Sequence, residues 1–217
     1  MLNMIPEDYK DILKQKDNLG TWKTHNHYPA AWAHAMNAPF QWVKTNASHY
    51  GGTANGMVIS WPARIRDRGG IRTQWHHVID IVPTIYEATG IEQPSMVNGV
   101  TQKPIEGVSM AYTFDAKNAA APSTHKTQYF EMMGDHAIYH DGWIASTKVM
   151  RPPWDLLGGV GATPDKYPWE LYDLRKDWTQ SEDLAAKYPK KVKEMEEIFW
   201  REAKKYNVMP LDSTVAT

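Results

Sequence analysis

Lys44 and His49 are the residues whose types and spacing first suggest chemistry. They lie five positions apart in a polar stretch, and the pair Gly51-Gly52 follows them before an apolar run that ends in Trp-Pro. An ammonium group stabilises negative charge on oxygen, and an imidazole can donate or accept a proton near neutral pH. A single lysine in a loop is by default a solvated surface residue. The helices, strands and loops around these two residues therefore have to show whether they form a functional site.

Composition limits the classes of protein that can be considered. A chain of 217 residues with 42% hydrophobic residues can bury a core for one large domain, or for one domain with appendages. Its 24 Lys+Arg balance 25 Asp+Glu without a long block of like charge, which argues against a nucleic-acid partner. The absence of cysteine excludes disulfides and thiolate metal sites but is compatible with either redox compartment.

The first residues, MLNMIPEDYKDILKQKDN, lack the basic, apolar and small-residue regions of a signal peptide. No apolar run approaches the roughly 20 residues that span a bilayer. We therefore expect no membrane partner and no export signal in this sequence, and the localisation stays unknown.

Three elements are predicted before the middle of the chain. Residues 6–16 favour a short helix, because Pro and acidic residues come early and lysines come late. Residues 20–50 are rich in Trp and His without a clear period and are predicted to form a long ordered loop. Met57–Trp61, an apolar and partly β-branched run before Pro62, is predicted to be a buried core strand.

The stretch HVIDIVPTIYEATG (residues 77–90) predicts a second helix. Asp80 can cap it, Pro83 suits the first turn, and Gly90 can provide the left-handed stop. Its apolar side chains are expected to face a sheet, namely Ile81, Val82, Ile85 and Tyr86. Residues 92–126 are rich in Pro, Gly, Ser and Ala and are expected to be a loop or a seam between domains.

The pattern changes after residue 126. Short strands separated by Gly134 and by Asp141-Gly142, followed by a fourth strand at 169–174, predict an antiparallel meander. Residues 189–206 predict a helix whose apolar stripe should lie across this sheet. The stripe consists of Val192, Met195, Phe199, Ala203 and Tyr206.

Four segments together resemble a known family. They are YPAAWAHAMNAPFQWVKTNASHYGGTANGMVISWP, VIDIVPTIYEATGI, YFEMMGDHAIYHDGWIA and WELYDLRKDWTQSEDLA. In order and spacing they resemble the C-terminal portion of bacterial arylsulfatases, in the alkaline-phosphatase-like superfamily. The resemblance implies an α/β fold class: residues 1–115 would form the C-terminal part of the alkaline-phosphatase-like sandwich, and residues 116–217 a small α+β subdomain of four antiparallel strands and a helix.

The resemblance also implies components that we do not expect from this chain. Such enzymes use a formylglycine made from Cys or Ser in a Cys/Ser-x-Pro-x-Arg motif, and a calcium ion held by Asp residues. Asp17-Asn18 follows a lysine-rich helical pattern rather than a strand, so we assign no metal ligand. The expectation is a sulfatase piece that lacks its nucleophile and calcium half and holds no cofactor itself. The full-length family is usually periplasmic or secreted.

By the same resemblance, Lys44 corresponds to the lysine that reaches the sulfate near the leaving-group oxygen. His49 could donate to the same oxygen or protonate the leaving group, which makes both residues catalytic and substrate-binding candidates. His27 is a weaker candidate for the substrate mouth, together with His34. The implied partner is a small aryl or sugar sulfate ester.

Other residues could suggest a metal site, but structural roles account for them better. His76-His77 precede a helix cap, and His136, His140 and Asp141 lie on a strand and its turn. Four tryptophans are interpreted mainly as core residues, although one at the loop mouth would suit an aryl substrate: Trp22, Trp32, Trp42 and Trp61.

Two further functions stay open. The chain could be a non-catalytic binding or scaffold module, or part of a related phosphatase or phosphodiesterase of the same superfamily. The nucleophile motif in the upstream reading frame would distinguish these possibilities.

Overall fold

The computed structural model describes residues 8–24, 30–149 and 164–213. It divides into two compact units. The first unit comprises Met1–Ala54, Tyr129–Ile138 and Trp143–Thr217, and the second unit comprises Asn55–Gln128 and Tyr139–Gly142. The predicted domain boundary after residue 115 stays a prediction.

Three short helices precede residue 54 in the first unit. Helix α1 (Tyr9–Lys14) lies within the predicted segment and is capped by the Asp8 carboxylate, which accepts a hydrogen bond from the Lys10 amide at 2.7 Å. Helix α2 (Ala30–Asn37) and helix α3 (Tyr50–Thr53) were not predicted. The expectation of a continuous loop over residues 20–50 is therefore wrong, and the alanine-rich sequence of α2 explains its helical conformation.

The predicted antiparallel meander is confirmed. Its four strands lie in the order β3-β4-β5-β6. They are β3 (Thr127–Met132), β4 (Asp135–His140), β5 (Trp143–Thr147) and β6 (Glu170–Asp173). The β5–β6 pair is antiparallel with Ile144 opposite Tyr172. Asp141 and Gly142 turn the chain between β4 and β5 with φ of 45° and 86°, the left-handed conformations that a two-residue hairpin turn requires.

Helix α5 (Pro189–Lys205) packs on this sheet through four of the five predicted stripe residues, whereas Tyr206 follows the helix and is exposed. Met195, Phe199 and Ala203 are buried in one cluster with Ile138 of β4 and Leu171 of β6. Val192 packs against the same cluster. The apolar stripe therefore carries the main core of the first unit. No helix in the described ranges is long and apolar enough to cross a membrane.

The second unit contains the predicted helix and a two-stranded hairpin. A 3₁₀ turn (Val78–Asp80) leads into helix α4 (Ile81–Thr89), and Gly90 ends the helix with φ 68°. Strands β1 (Met96–Val97) and β2 (Val100–Thr101) pair antiparallel. Two further 3₁₀ turns follow at Ala111–Phe114 and Ala116–Asn118.

Within the described residues, the apolar side of α4 does not face a sheet. Ile81, Val82 and Ile85 are exposed, whereas the polar Asp80 and Thr84 are buried. The Thr84 hydroxyl accepts a hydrogen bond from the Met110 amide at 2.9 Å, so the polar side of the helix is the one that packs inward. The orientation expected for Ile81, Val82 and Ile85 is therefore wrong within the described residues, and Tyr86 is half-buried.

Met57–Trp61 also differs from the prediction, because it is neither a strand nor buried. A strand requires a neighbour to accept and donate its backbone hydrogen bonds, and within the described ranges none pairs with this segment. The apolar, partly β-branched composition was therefore not sufficient to make this segment a strand.

Candidate functional site

Gly51 and Gly52 allow the loop that carries Lys44 to fold tightly against helix α3. A Cβ on Gly51 would lie 2.0 Å from the Gln41 carbonyl oxygen, and one on Gly52 would lie 2.0 Å from the Asn46 carbonyl oxygen. Contacts under 3.0 Å are excluded for a real Cβ. The pair is thus required for close backbone approach, and not for a turn into a following strand.

Lys44 stands between two residues in left-handed conformations. Trp42 has φ 63° and Thr45 has φ 81°. For a β-branched residue such as Thr45 this conformation is an outlier that costs free energy unless surrounding contacts hold it. The Lys44 side chain is exposed, and it makes no hydrogen bond or ion pair with the described residues. Lys44 thus presents an ammonium group without a partner among the described residues, next to the strained backbone of Thr45.

Asp135, at the start of β4, holds the next part of this loop. Its carboxylate accepts a hydrogen bond from Asn46 Nδ2 at 2.7 Å and from the Val149 amide at 2.7 Å. The buried Lys148 ammonium contacts the same carboxylate at 3.1 Å and lies 4.5 Å from the centre of the Trp42 ring. A buried ion pair on the sheet therefore contacts the loop on both sides of Lys44.

Gln180 and Asn37 hold the two ends of the loop. The Gln180 side chain accepts a hydrogen bond from the Tyr50 amide at 2.7 Å, and its backbone carbonyl accepts one from the Gln41 side chain. Asn37 Nδ2 donates to the carbonyls of Trp42 and Gly51 at 2.7 and 2.9 Å. The loop is therefore fixed to α2, to α3 and to the segment after β6.

His49 is buried, with only 1% of its surface exposed. Its Nδ1 lies 2.9 Å from the Ser48 hydroxyl, and its Nε2 lies 3.1 Å from Glu170 Oε2, an ion-pair distance without the alignment of a regular hydrogen bond. The Tyr172 hydroxyl donates to the same Glu170 oxygen at 3.0 Å. Burial by itself would raise the pKa of Glu170, but His49 and Tyr172 hold this pKa below its ordinary value.

A cleft of about 270 Å³ borders the same loop. Its lining combines hydroxyl and amide groups with aromatic surface and one carboxylate, that of Glu131. Burial raises the pKa of Glu131 above its ordinary value. The lining residues are Thr45, Asn46, Ala47, Gly52, Thr53 and 129–132. Such a surface can contact a small polar organic group.

Within the described ranges, no contact brings His34, His136 or His140 to this loop. His27 lies outside the described residues, and His34 is exposed on α2. His136 is buried on β4 with Nδ1 2.7 Å from the Gly134 carbonyl, and His140 Nδ1 lies 2.8 Å from the Thr127 hydroxyl. Asp141 pairs with Lys126 at 2.9 Å. The structural interpretation of the β4 histidines and the turn is thus supported by their contacts.

The tryptophans are less buried than predicted. Trp22 and Trp32 are 91% and 61% exposed, so the interpretation as core residues is wrong for these two. Trp61 is also exposed, so the same interpretation is wrong for it, and its ring meets the Phe114 ring edge-on at 6.2 Å. Trp42 is half-buried and is the one that belongs to the Lys44 loop.

His76 and His77 belong to a separate cluster in the second unit, around the buried Asp80. The Asp80 carboxylate lies 2.9 Å from His76 Nδ1 and 2.8 Å from His125 Nδ1, and it accepts hydrogen bonds from the amides of His77 and Val108. Burial opposes the charge, but these donors hold the pKa of Asp80 far below its ordinary value. The cluster joins three segments that the sequence pattern did not connect, and His125 was missed because it lies in a predicted loop.

The described residues do not fit the calcium ion that the resemblance to arylsulfatases implies. They contain no group of three or more His, Cys, Asp or Glu side chains that could hold a metal. Asp17-Asn18 lies in a short 3₁₀ turn (Lys16–Asn18) and not at the end of a strand. We assign no catalytic step to calcium in this chain.

The prediction that the sequence lacks the nucleophile motif is wrong. By its letters, Ser60-Trp61-Pro62-Ala63-Arg64 matches the serine form. Ser60 is exposed, and no hydrogen bond reaches it from the described part of the chain. The motif is therefore present by its letters, and we assign no step to formylglycine in this chain.

Comparison with known proteins relates the chain to sulfatases. It is 29% identical to an arylsulfatase of Klebsiella aerogenes over 129 residues, which are 59% of this chain and 26% of the arylsulfatase. A structure from Bacteroides thetaiotaomicron, named as a 6S-sulf in connection with the metabolism of multiple glycosaminoglycans, shares the fold with a TM-score of 0.52. It is 17% identical, and the likeness covers 74% of this chain and 31% of that one.

A third protein, solved with its substrate D-glucosamine-2-N,6-O-disulfate, is 18% identical with a TM-score of 0.38 and is too distant to argue from. The likeness covers 60% of this chain and 24% of that protein. No family model matches the sequence. The chain thus spans about a quarter to a third of the length of the relatives it matches.

Proposed function

We propose, from its correspondence to the C-terminal portion of sulfatases, that this chain supplies the Lys44 side of an active site for sulfate ester hydrolysis. The observation that supports the proposal is the presentation of Lys44. An exposed ammonium without a partner among the described residues stands between two left-handed residues, and contacts from Asn37, Asp135 and Gln180 hold this loop. Strain of this kind is retained where a site requires it.

Lys44 would act on the charge that develops during cleavage. A sulfate ester carries one negative charge, and breaking the S–O bond places more charge on the bridging oxygen. A compact ammonium beside that oxygen stabilises the transition state more than the bound substrate. Lys44 therefore lowers the barrier of the chemical step rather than only tightening binding.

His49 has two roles open to it. As positioned, its Nε2 contacts Glu170 and holds the Lys44 loop to strand β6. To act as a proton donor, the buried imidazole would have to break its contact with Glu170 and contact the leaving-group oxygen instead. His49 is therefore part of the proposed site in either role. The two roles are separated by the rates of His49 variants on sulfate esters with different leaving groups.

The substrate we propose is a small sulfate ester with an aryl or sugar leaving group. The cleft beside Thr45 and Asn46 offers hydroxyl, amide and aromatic surface, which suits either type. His27 is kept as a candidate for the substrate mouth by resemblance alone.

A chimaera tests the function. In the Klebsiella aerogenes arylsulfatase, the matched segment is replaced by the corresponding residues of this chain, and hydrolysis of an aryl sulfate is followed with and without Lys44→Ala. We expect kcat to fall about 100-fold or more with a smaller change in KM. Lys23→Ala, another exposed lysine of the first unit, serves as the control. An unchanged kcat in Lys44→Ala would refute the proposal.

A binding or scaffold role is the second candidate, because the described residues offer no group of side chains that could hold a metal ion. Under that role the intact chain alone would bind a sulfated sugar through Lys44 without turning it over. Titration of the 217-residue chain with such a sugar, with Lys44→Ala as the comparison, measures this directly.

A further inference from the structure

A small surface pocket in the second unit is not used by the proposed function. Its volume is about 180 Å³, and its walls come from two segments that are distant in the sequence, the turn after Trp61 and the turns around Phe114. Two guanidinium groups and one aromatic ring share this concave surface with two carboxylates. The lining residues are Arg64, Arg66, Asp67, Phe114, Asp115 and Ala116.

Both carboxylates of the pocket have a cationic partner that is not part of its lining. Asp67 Oδ2 lies 2.8 Å from Arg72 Nη2, and Asp115 Oδ2 lies 3.1 Å from the Lys117 ammonium. Lys117, and less strongly the charge of Arg64, hold the pKa of Asp115 below its ordinary value. Each carboxylate is thus paired with a cation from outside the lining.

The arginines of the lining, Arg64 and Arg66, are exposed. Among the residues that the structure describes, neither guanidinium forms a hydrogen bond or an ion pair. The backbone at Arg64 is held in a turn, since the amides of Arg64 and Ile65 donate to the Trp61 carbonyl at 2.9 and 2.8 Å. Each guanidinium presents a planar fork of N–H donors, which matches the oxygens of an oxyanion. The pocket therefore offers two cationic forks that this part of the chain leaves without a partner.

Arg72 fixes the two walls of the pocket to each other. Its guanidinium contacts Asp67 on one wall and donates from Nε to the Thr113 carbonyl at 2.8 Å on the other, next to Phe114. Gly70 leaves room for this contact, because a Cβ there would lie 2.0 Å from Asp67 Oδ2 and 2.8 Å from Arg72 Nη1. The walls are therefore held together before any ligand binds, which lowers the free-energy cost of binding one.

The size and the donors of the pocket indicate what it would bind. Pockets that enclose a whole drug-sized ligand have volumes of roughly 300–1,000 Å³, so this smaller one suits a single substituent of a molecule. A tetrahedral ester group presents three free oxygens, whereas a carboxylate presents two, so the tetrahedral group can bond both forks at once. The aromatic ring beside the forks suits a ring on the same molecule.

We propose that Arg64 and Arg66 bind the tetrahedral oxyanion of a sulfate or phosphate monoester, with the ring that carries this group packed against Phe114. The pocket belongs to the second unit and Lys44 to the first. The site is therefore independent of the proposed function and holds or fails separately from it.

Isothermal titration of the full chain with phenyl sulfate and phenyl phosphate tests the site. All proteins carry Lys44→Ala, so that the proposed active site does not contribute, and the buffer contains about 0.15 M chloride to screen long-range attraction. We expect saturable binding that Arg64→Ala or Arg66→Ala weakens by about tenfold or more. The control is Arg68→Ala, an exposed arginine of the same segment that does not line the pocket, and it should change the dissociation constant by no more than about twofold.

The outcomes that overturn the proposal are distinct. They are the absence of saturable binding by both esters, and a loss in Arg68→Ala equal to that in Arg64→Ala, which would show diffuse attraction only. Thermal unfolding of each variant checks that the fold is retained, and Arg64→Lys, which keeps the charge but not the fork, should also bind more weakly than the parent.

Two further ligands test the ring and the shape of the anionic group. Methyl sulfate carries the same charge as phenyl sulfate without the ring, so we expect it to bind about threefold more weakly or worse. Equal affinities would overturn the contact with Phe114, and tighter binding of benzoate than of either ester would overturn the tetrahedral group. The preference between phenyl sulfate and phenyl phosphate identifies the ester, and either preference supports the site if both arginine variants remove it.

Discussion

His49 and Glu170 bring the candidate loop and the last strand of the sheet into direct contact, with Nε2 and Oε2 3.1 Å apart. The residue predicted to donate a proton is thereby joined to the sheet that the sequence predicted as a separate subdomain. The first unit holds the Lys44 loop from one side by this contact and from the other by Asn46 and Asp135. The small sheet is thus a support for the site as well as a core.

The isolated chain is expected to hydrolyse no sulfate ester. The described residues contain no group of three or more His, Cys, Asp or Glu side chains that could hold a metal ion. Release from a chromogenic aryl sulfate with calcium present measures this. Turnover that survives repurification and disappears in Lys44→Ala would contradict the prediction. In the active chimaera, Ser60→Ala is expected to leave kcat unchanged.

Replacing Lys44 with arginine is not expected to restore the chimaera. The guanidinium is broad and planar, whereas the loop presents a point charge between two strained residues beside a closely packed glycine pair. We expect kcat of Lys44→Arg to resemble that of Lys44→Ala under saturating substrate. A kcat near that of the parent chimaera would show that charge alone is sufficient.

A leaving-group series separates the two roles of His49. If His49 protonates the leaving group, His49→Ala loses less rate on sulfates of acidic phenols than on alkyl or sugar sulfates, which require a proton to leave. If it only anchors the loop, the losses are equal on all substrates. In that case Glu170→Gln, which removes the other half of the contact, reproduces the same uniform loss.

Phe199→Ala is expected to lower the free energy of unfolding by about 3–5 kcal/mol. Phe199 is fully buried and stacks on Tyr129 and His136 with ring centres 5.0 and 4.6 Å apart, so truncation leaves a cavity under the sheet. Denaturant titration measures the change. Glu197→Ala, on the exposed side of the same helix, is the control and should stay within about 0.5 kcal/mol of the parent.

Asp80→Asn is expected to destabilise the second unit in a pH-dependent way. The folded pKa of Asp80 is depressed, so the charged carboxylate contributes stability above its unfolded pKa and loses it as pH falls through the folded one. The difference between parent and variant should therefore be constant from neutral pH to about 5 and shrink only below about 4. Hydrogen exchange of the α4 amides at several pH values follows this. A difference that grows on acidification would contradict the assignment.

The sheet and helix α5 were predicted correctly because turn residues and apolar spacing within each segment determine them. Turn residues such as Asp141-Gly142 fix the hairpin, and the spacing of Met195, Phe199 and Ala203 fixes the buried face of the helix. The prediction for Met57–Trp61 was wrong for the opposite reason. The composition of a segment indicates whether it suits a strand, but it does not indicate whether another strand lies beside it.

The site was predicted only in part. The sequence singled out Lys44 and His49, but nothing in it indicates that Glu170, Asp135 and Lys148 surround their loop. These contacts join residues far apart in the chain, and each involves an ordinary charged residue in or beside a predicted strand. Period and propensity carry no information about such pairings.

Gly51 and Gly52 impose a limit on how this sequence can vary. A Cβ has no torsion of its own, so no rotamer choice removes the 2.0 Å overlaps with the carbonyls of Gln41 and Asn46. Even alanine would have to move a backbone whose amide and carbonyl groups are held by Gln180 and Asn37. A saturation library over the loop and α3 should therefore accept substitutions at many positions and return only glycine at these two.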